Sequence, residues 1–247
     1  MAKNTEIIFG IHPVTEAIES GQELERVFFR KGLQGELANE LITKVRKSGV
    51  PIQFVPPERL NQFTGKNHQG VIALISPILY HQLEQLIPAI YEKGETPLLM
   101  ILDSITDVRN FGAVARSAEC AGVHGLVIPQ SGSARIQEDA VKTSAGALLT
   151  VPVCRVEKLV DAVKYLKNSG FKIVGATEKA DLSFHQADLK DPVAIIMGSE
   201  EKGIHISILA LCDQEVSIPV YGSIPSLNVS VAASLLMYEA VRQRDTK

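Results

Sequence analysis

The sequence predicts an α/β fold, a mostly parallel sheet with helices on both sides, preceded by a smaller α/β unit. Three observations carry this. From residue 97 onward six apolar runs of strand length, LLMIL, GLVIP, VPVCRV, KIVGA, VAIIMG and EVSIPV, recur with helical patterns between most of them, the alternation that builds parallel sheets. A shorter α/β alternation closes at about residue 76. Between the two, residues 77–96 have mixed polarity and carry Pro77, Pro88 and Gly94, with Pro97 just beyond, which reads as a partly helical linker. The expected domains are therefore 1–76 and 97–247.

Taken in order, IFGIHPVTEAIESG reads as a helix with Pro13 in its first turn and Gly21 at its end, because proline suits a helix start and glycine its stop. LERVFF is a strand, Gly35 to Lys47 a helix, PIQFV a strand, PPERLNQFTG a helix and GVIALI a last strand. In the second part LLMIL is followed by the turn and cap residues Asp103, Ser104, Asp107 and Asn110. A helix of small residues comes next, and it carries Arg116. That arginine is either a solvated helix residue or a working one. In VEKLVDAVKYLKNSG, Leu159, Val163 and Leu166 share a helix face. Pro225 and Ser226 mark the expected start of the last helix, with Asn228 just inside it. Asn228 needs a partner if buried, since an unsatisfied amide costs about 1–3 kcal/mol.

Composition excludes several classes. With 247 residues and 45% apolar content the chain supports a full core. No apolar run approaches the roughly 18 residues of a membrane span, and MAKNTEIIFG lacks the segments of a signal peptide, so a soluble cytoplasmic protein is expected. Cys120, Cys154 and Cys212 stand far apart in apolar contexts that suit buried free thiols. The six histidines show no HxxxH or HxH spacing, and no metal site is expected. A net charge of −3 rules out binding nucleic acid by bulk charge, leaving a shaped site as the means to hold RNA. The front part is slightly the more basic, with nine Lys/Arg against eight acids in residues 1–76.

Ligands of open parallel sheets bind beyond the carboxyl ends of the strands. The loop after LLMIL has a single glycine where a dinucleotide fold has GxGxxG, and GxSxG and GxxxxGK[ST] are absent. Glycines and polar residues gather instead after the last three strands, in GATE (175–178), MGSEEKG (197–203) and IPVYGSIPSLNVSVAAS (218–234). Such loops let a backbone approach a ligand, though GSEEKG also reads as a plain turn.

Three segments, NFGAVARSAECAG, IIMGSEEKGI and SIPVYGSIPSLNVSVAASLLMYEAVRQR, together resemble the signature motifs of the SpoU/TrmH family, within the SPOUT class of RNA ribose 2′-O-methyltransferases. Asn110, Gly112 and Arg116 match its NxGxxxR, Gly198, Glu200 and Gly203 its GxExxG, and Ser226 to Ser230 with Ala232 its SLNVSxA. GIHPVTEAI and KNHQGVIALI are similar to the substrate-binding domain of the large-subunit rRNA members, above all those acting on guanosine. The resemblance implies a ribosomal-protein-like RNA-binding domain ahead of a SPOUT sheet with a C-terminal trefoil knot, and a homodimer. It implies S-adenosylmethionine as cofactor, contacted by the loops at Thr177, Gly198, Ile218 and Leu227, and 23S rRNA as partner.

By the same resemblance Arg116 belongs to the catalytic centre, with Asn110, Glu200 and Asn228 around it. A guanidinium that holds its proton and has a planar fork suits positioning of the 2′-OH and its phosphate better than base catalysis. Glu200 either faces the cationic sulfonium or anchors its own loop. Arg109, Arg135 and Lys142 are candidate phosphate contacts or plain surface charge. For His12 and His68 the simpler role is capping and packing of their own loops. The leading expectation is methylation of a guanosine ribose in 23S rRNA. A tRNA ribose methyltransferase and a non-catalytic RNA-binding assembly factor are the rivals.

Overall fold

The computed structural model describes residues 6–245. The described residues up to Leu79, with Ile136–Glu138, form one compact unit, and Tyr80–Arg135 with the residues from Asp139 onward form the other.

The first unit runs β1 (Ile7–Phe9), α1 (Ile11–Glu19), β2 (Leu24–Arg30), α2 (Glu36–Lys47), β3 (Ile52–Val55), α3 (Pro57–Asn61) and β4 (Val71–Ile75). Its sheet order is β1-β4-β2-β3, with β4 antiparallel to β1 and β2, and β3 parallel to β2. Successive strand side chains point to opposite faces. Val27 and Phe29 accordingly join one core with Val14 of α1 and Leu41 and Val45 of α2, while Phe28 joins a second with Leu60 of α3. The expected opening helix begins later than the sequence suggested. Ile7–Phe9 is an edge strand, paired Ile7 to Leu74 and Phe9 to Ile72, and three residues are too few for a period to show.

The second unit runs β5 (Tyr80–His81), α4 (Leu83–Glu92), β6 (Leu98–Leu102), α5 (Val108–Cys120), β7 (Gly125–Pro129), α6 (Glu138–Thr143), β8 (Val153–Val156), α7 (Leu159–Asn168), β9 (Lys172–Ala176), β10 (Val193–Met197), α8 (Ile206–Leu209), β11 (Gln214–Val216) and α9 (Val229–Asp245). Its seven strands are parallel throughout, in the order β11-β9-β10-β6-β7-β8-β5. Leu99, Ile101, Val127, Ile173 and Ile196 face a core built with α4, α7 and α8. The alternate residues, among them Met100, Leu126 and Ile195, are fully buried on the other face, the side of α5 and α9, which pack on each other. Segment 77–96, expected as a partly helical linker, is half helix. It holds β5 and α4, whose Leu83, Ile87 and Ile90 are buried in this core, and Pro88 sits inside the helix at the cost of one backbone hydrogen bond.

Two side chains fasten the end of α9 under the sheet. Arg244 donates to the carbonyls of Thr96, Pro97, Leu189 and Asp191 at 2.8–3.1 Å, and burial lowers its pKa. Gln243 accepts from the Leu189 N–H and donates to the Ala187 carbonyl. Among the described residues no helix is long and apolar enough to cross a membrane. The three cysteines are free; Cys154 is buried, Cys212 half-buried, and Cys120, expected inside, is exposed near the end of α5.

Candidate active site

From β6 at the centre of the parallel sheet the chain builds β7 and β8 on one side, with β5 as the edge strand beyond them, and β10, β9 and β11 on the other. That reversal is a topological switch point, where loops diverge at the carboxyl ends of neighbouring strands and leave a crevice. The β6 and β10 loops are joined through Asp103. Its backbone N–H donates to the Met197 carbonyl (2.8 Å), and its Oδ2 accepts from the His205 N–H (2.7 Å). Asp103 is buried; a carboxylate accepting backbone N–H bonds there fixes both loops. Sequence reading placed it only as a turn residue.

Asn110, Glu200 and Asn228 meet here, 90 and 118 residues apart in sequence. Asn110 Nδ2 donates to Glu200 Oε1 (3.1 Å), and Asn228 Nδ2 donates to Asn110 Oδ1 (2.9 Å) and Glu200 Oε1 (3.1 Å). The Val229 N–H adds a third bond to that same Glu200 oxygen (3.3 Å). Each residue is delivered by local chemistry. Asp107 caps α5, accepting from the N–H groups of Arg109 and Asn110, which sets Asn110 in the first turn. Glu200 rides a turn closed by the Gly203 N–H on the Ser199 carbonyl (2.8 Å). The turn needs Gly198, since a Cβ there would lie 2.1 Å from the Gly203 backbone.

Asn228 is the cap of α9, which corrects the expected start at Pro225 and Ser226. Its Oδ1 accepts from the Ser230 N–H (2.9 Å) and hydroxyl (2.6 Å), and its carbonyl accepts from Val231 and Ala232. The amide thus spends its oxygen on its own helix and its nitrogen on the two partner loops, leaving no side-chain hydrogen unpaired.

Arg116 lies further along α5, exposed, with no hydrogen bond or ion pair among the described residues. Gly112, one turn earlier, allows the close approach of α6: a Cβ would sit 2.7 Å from Thr143 Cβ and 3.1 Å from the Ser144 nitrogen. Two turns beyond Asn110, Ser117 meets α9. Ser234 Oγ lies 2.7 Å from the Ser230 carbonyl and 2.8 Å from Ser117 Oγ; its single proton goes to the carbonyl, so it accepts from Ser117. This contact escaped sequence reading, although the seven-residue step from Asn110 was a helical signal.

The loops expected to hold S-adenosylmethionine differ in what they offer. Thr177 has spent its N–H on the Val216 carbonyl and its carbonyl on the Ala180 N–H. Gly198 packs against the Gly203 backbone at the base of the Glu200 turn. Ile218 is half-buried and Leu227 exposed. They bound a loop in which, among the described residues, none from 218 to 227 makes a hydrogen bond. Open backbone donors and acceptors between two apolar side chains, with Glu200 Oε2 also unbonded, fit a ligand that has a purine edge, a ribose and a cationic sulfonium. Arg109 is exposed on α5 and Lys142 on α6, while Arg135 is half-buried in the loop after β7; none of the three is joined to the Asn110–Glu200–Asn228 cluster. No group of three or more His, Cys, Asp or Glu among the described residues is placed to hold a metal ion.

A parallel sheet whose switch point joins these three motifs is the mark of one class of methyltransferases. Residues 97–238 match the SpoU rRNA methylase family, and residues 7–81 match the RNA 2′-O ribose methyltransferase substrate-binding family. The chain belongs to the SpoU rRNA methylase family. It is 38% identical over 98% of its length to the 23S rRNA (guanosine-2′-O-)-methyltransferase RlmB of Photorhabdus laumondii, of which it covers 100%. It is also 38% identical over 97% of its length to an uncharacterized tRNA/rRNA methyltransferase of Synechocystis, of which it spans 63%. The SpoU methyltransferase AviRb from Streptomyces viridochromogenes, solved in complex with the cofactor AdoMet, aligns with a TM-score of 0.62 at 28% identity, over 98% of this chain and 91% of that one.

Proposed function

We propose that this protein transfers the methyl group of S-adenosylmethionine to the ribose 2′-OH of a guanosine in 23S rRNA. The observation that carries the reading is the convergence of Asn110, Glu200 and Asn228 at the switch point, with Arg116 unpartnered on the same helix as Asn110. The full-length likeness to an RlmB supports the choice of RNA and base. When bound, the cofactor supplies an electrophilic methyl on a sulfonium. The chain's part is to hold the 2′-OH in line and stabilise the charge that develops on its oxygen. Arg116 orients the 2′-OH and the adjacent phosphate through its planar fork. The 218–227 loop grips the cofactor through its backbone, and Glu200 Oε2 faces the positive charge while Oε1 holds the three motifs together.

The same reading takes residues 1–76 as a ribosomal-protein-like RNA-recognition domain and 97–247 as the catalytic domain. In the catalytic domain the C-terminal segment passes through a trefoil knot. Arg109, Arg135 and Lys142 lie against the RNA backbone, and the enzyme works in the cytoplasm as a homodimer. The match of residues 7–81 to a substrate-binding family supports the first assignment. The exposed apolar side chains Val231, Leu235 and Tyr238, which fall at helical spacing on α9, support the dimer.

Arg116 gives the test. Arg116→Ala removes turnover, while calorimetric binding of S-adenosylmethionine and the melting temperature stay near wild type. Loss of cofactor binding would make Arg116 a structural residue.

A further inference from the structure

The topology of the first unit gathers charge at one end of its sheet. β1, β2 and β3 finish where antiparallel β4 begins, so the segments that follow Phe9, Arg30 and Val55 and precede Val71 share that end. They carry His12, Arg30, Lys31, Arg59 and Lys66, all exposed, against the carboxylates Glu36 and Glu58. The opposite end has Glu6, Glu23 and Glu25 near its strand termini and Arg46 and Lys47 at the close of α2, where Lys44 is paired with Glu19.

The loops of the basic end are also tied to one another by hydrogen bonds. The Gly70 N–H donates to His68 Nδ1 (3.0 Å), which puts the imidazole proton on Nε2, where it is donated to Asn61 Oδ1 (2.9 Å). Gln69 holds a left-handed backbone (φ 51°), which side chains seldom adopt unless their surroundings impose it. Here its Oε1 accepts from the Ile11 N–H (3.1 Å) and its N–H donates to Asn67 Oδ1 (3.2 Å). Arg30 lies alongside Gly70, and the Arg59 guanidinium stands 5.6 Å from the centre of the Phe63 ring, a cation–π geometry. Loops pinned across 58 residues of sequence lose little freedom on binding.

We infer that this end of the sheet, formed by residues 10–13, 30–35 and 56–70, is the face that grips the RNA substrate, with Lys31 and Lys66 on backbone phosphates and Arg59 stacked for an unpaired base. Phosphate contacts supply affinity and register, and stacking on an aromatic or guanidinium plane is how single-stranded RNA is read. The inference rests on the proposed RNA substrate and adds where the first unit holds it.

The test compares two double variants of the full chain, Lys31→Ala with Lys66→Ala, and Arg46→Ala with Lys47→Ala at the other end, which removes the same charge. Each is assayed for methyl transfer to a transcribed 23S rRNA fragment, for RNA affinity across a salt series, and for S-adenosylmethionine binding by calorimetry. The Lys31/Lys66 pair raises KM for RNA about tenfold or more and flattens the slope of log K against log salt by about 1.5, because each phosphate left without its lysine takes about 0.7–0.9 off that slope. Its kcat and cofactor binding hold, and the Arg46/Lys47 pair behaves as wild type. Equal effects of the two pairs, or an unchanged salt slope, would overturn the inference. If wild-type protein methylates tRNA and leaves 23S rRNA untouched, the substrate reading fails instead, and the same two pairs compared on tRNA still decide the face.

Discussion

At Glu200 one carboxylate oxygen holds the structure and the other is left over. Oε1 accepts from Asn110, Asn228 and the Val229 N–H, so the loop-anchor alternative is met by that atom, and the proposed ligand contact falls to Oε2. Glutamine preserves a carbonyl at Oε1, removes the charge and puts an NH2 donor in place of the Oε2 acceptor. Glu200→Gln is therefore expected to melt within about 1 kcal/mol of wild type yet bind S-adenosylmethionine more weakly, whereas Glu200→Ala loses about 1–3 kcal/mol as well. Thermal melting beside calorimetry checks this; equal stability losses for the two would show that the charge itself holds the loops. Asn110, Glu200 and Asn228 were legible together through the family motifs they match, and Asn228 also as a polar residue at an apolar helix start. Asp103 and the Ser117–Ser234 contact were not, because a lone aspartate in a turn and serines in helices have many ordinary uses, and only the packing of α5 on α9 assigns these their partners.

As an element of the fold, α9 carries a titrating group held by its neighbours. Glu239, buried on its inner face, is bound by Arg242 through two hydrogen bonds of 2.7 and 2.9 Å. Arg242 first, then Gln243 and His185, hold its pKa at about 2 against an ordinary 4.5, with burial opposing them. A carboxylate depressed on folding stabilises fully above its unfolded pKa, and that contribution is lost as pH falls through the folded value. Wild type should accordingly exceed Glu239→Gln in urea stability at neutral pH, with the gap closing from about pH 4.5 towards 2. A gap unchanged over that window would contradict the ion pair's role. The strands β6 to β10 were readable from the chain because strands covered on both faces become continuous apolar runs, whereas the edge strand β11 takes up only Gln214–Val216 and leaves most of the expected EVSIPV outside it. β1 and β5, of three and two residues, leave no period, and the prolines around α4 disguise a helix whose buried Leu83, Ile87 and Ile90 keep the right spacing.

For the whole molecule, the outer face of α9 bears on assembly. Val231, Leu235 and Tyr238 are 49%, 39% and 50% exposed, an apolar stripe of the kind that interaction surfaces carry. The proposed homodimer predicts that Leu235→Glu shifts the protein from dimer to monomer in sedimentation, with its circular dichroism retained; a dimer that survives the substitution would place the interface elsewhere. One reaction underlies all of these expectations, and the most direct measurement supplies S-adenosylmethionine and 23S rRNA lacking its ribose methylations, then digests the RNA and identifies its nucleosides by mass spectrometry. The predicted result is a single new 2′-O-methylguanosine, absent with Arg116→Ala. Methylation of another base or of tRNA alone would contradict the substrate, and silence on both RNAs would contradict the enzyme.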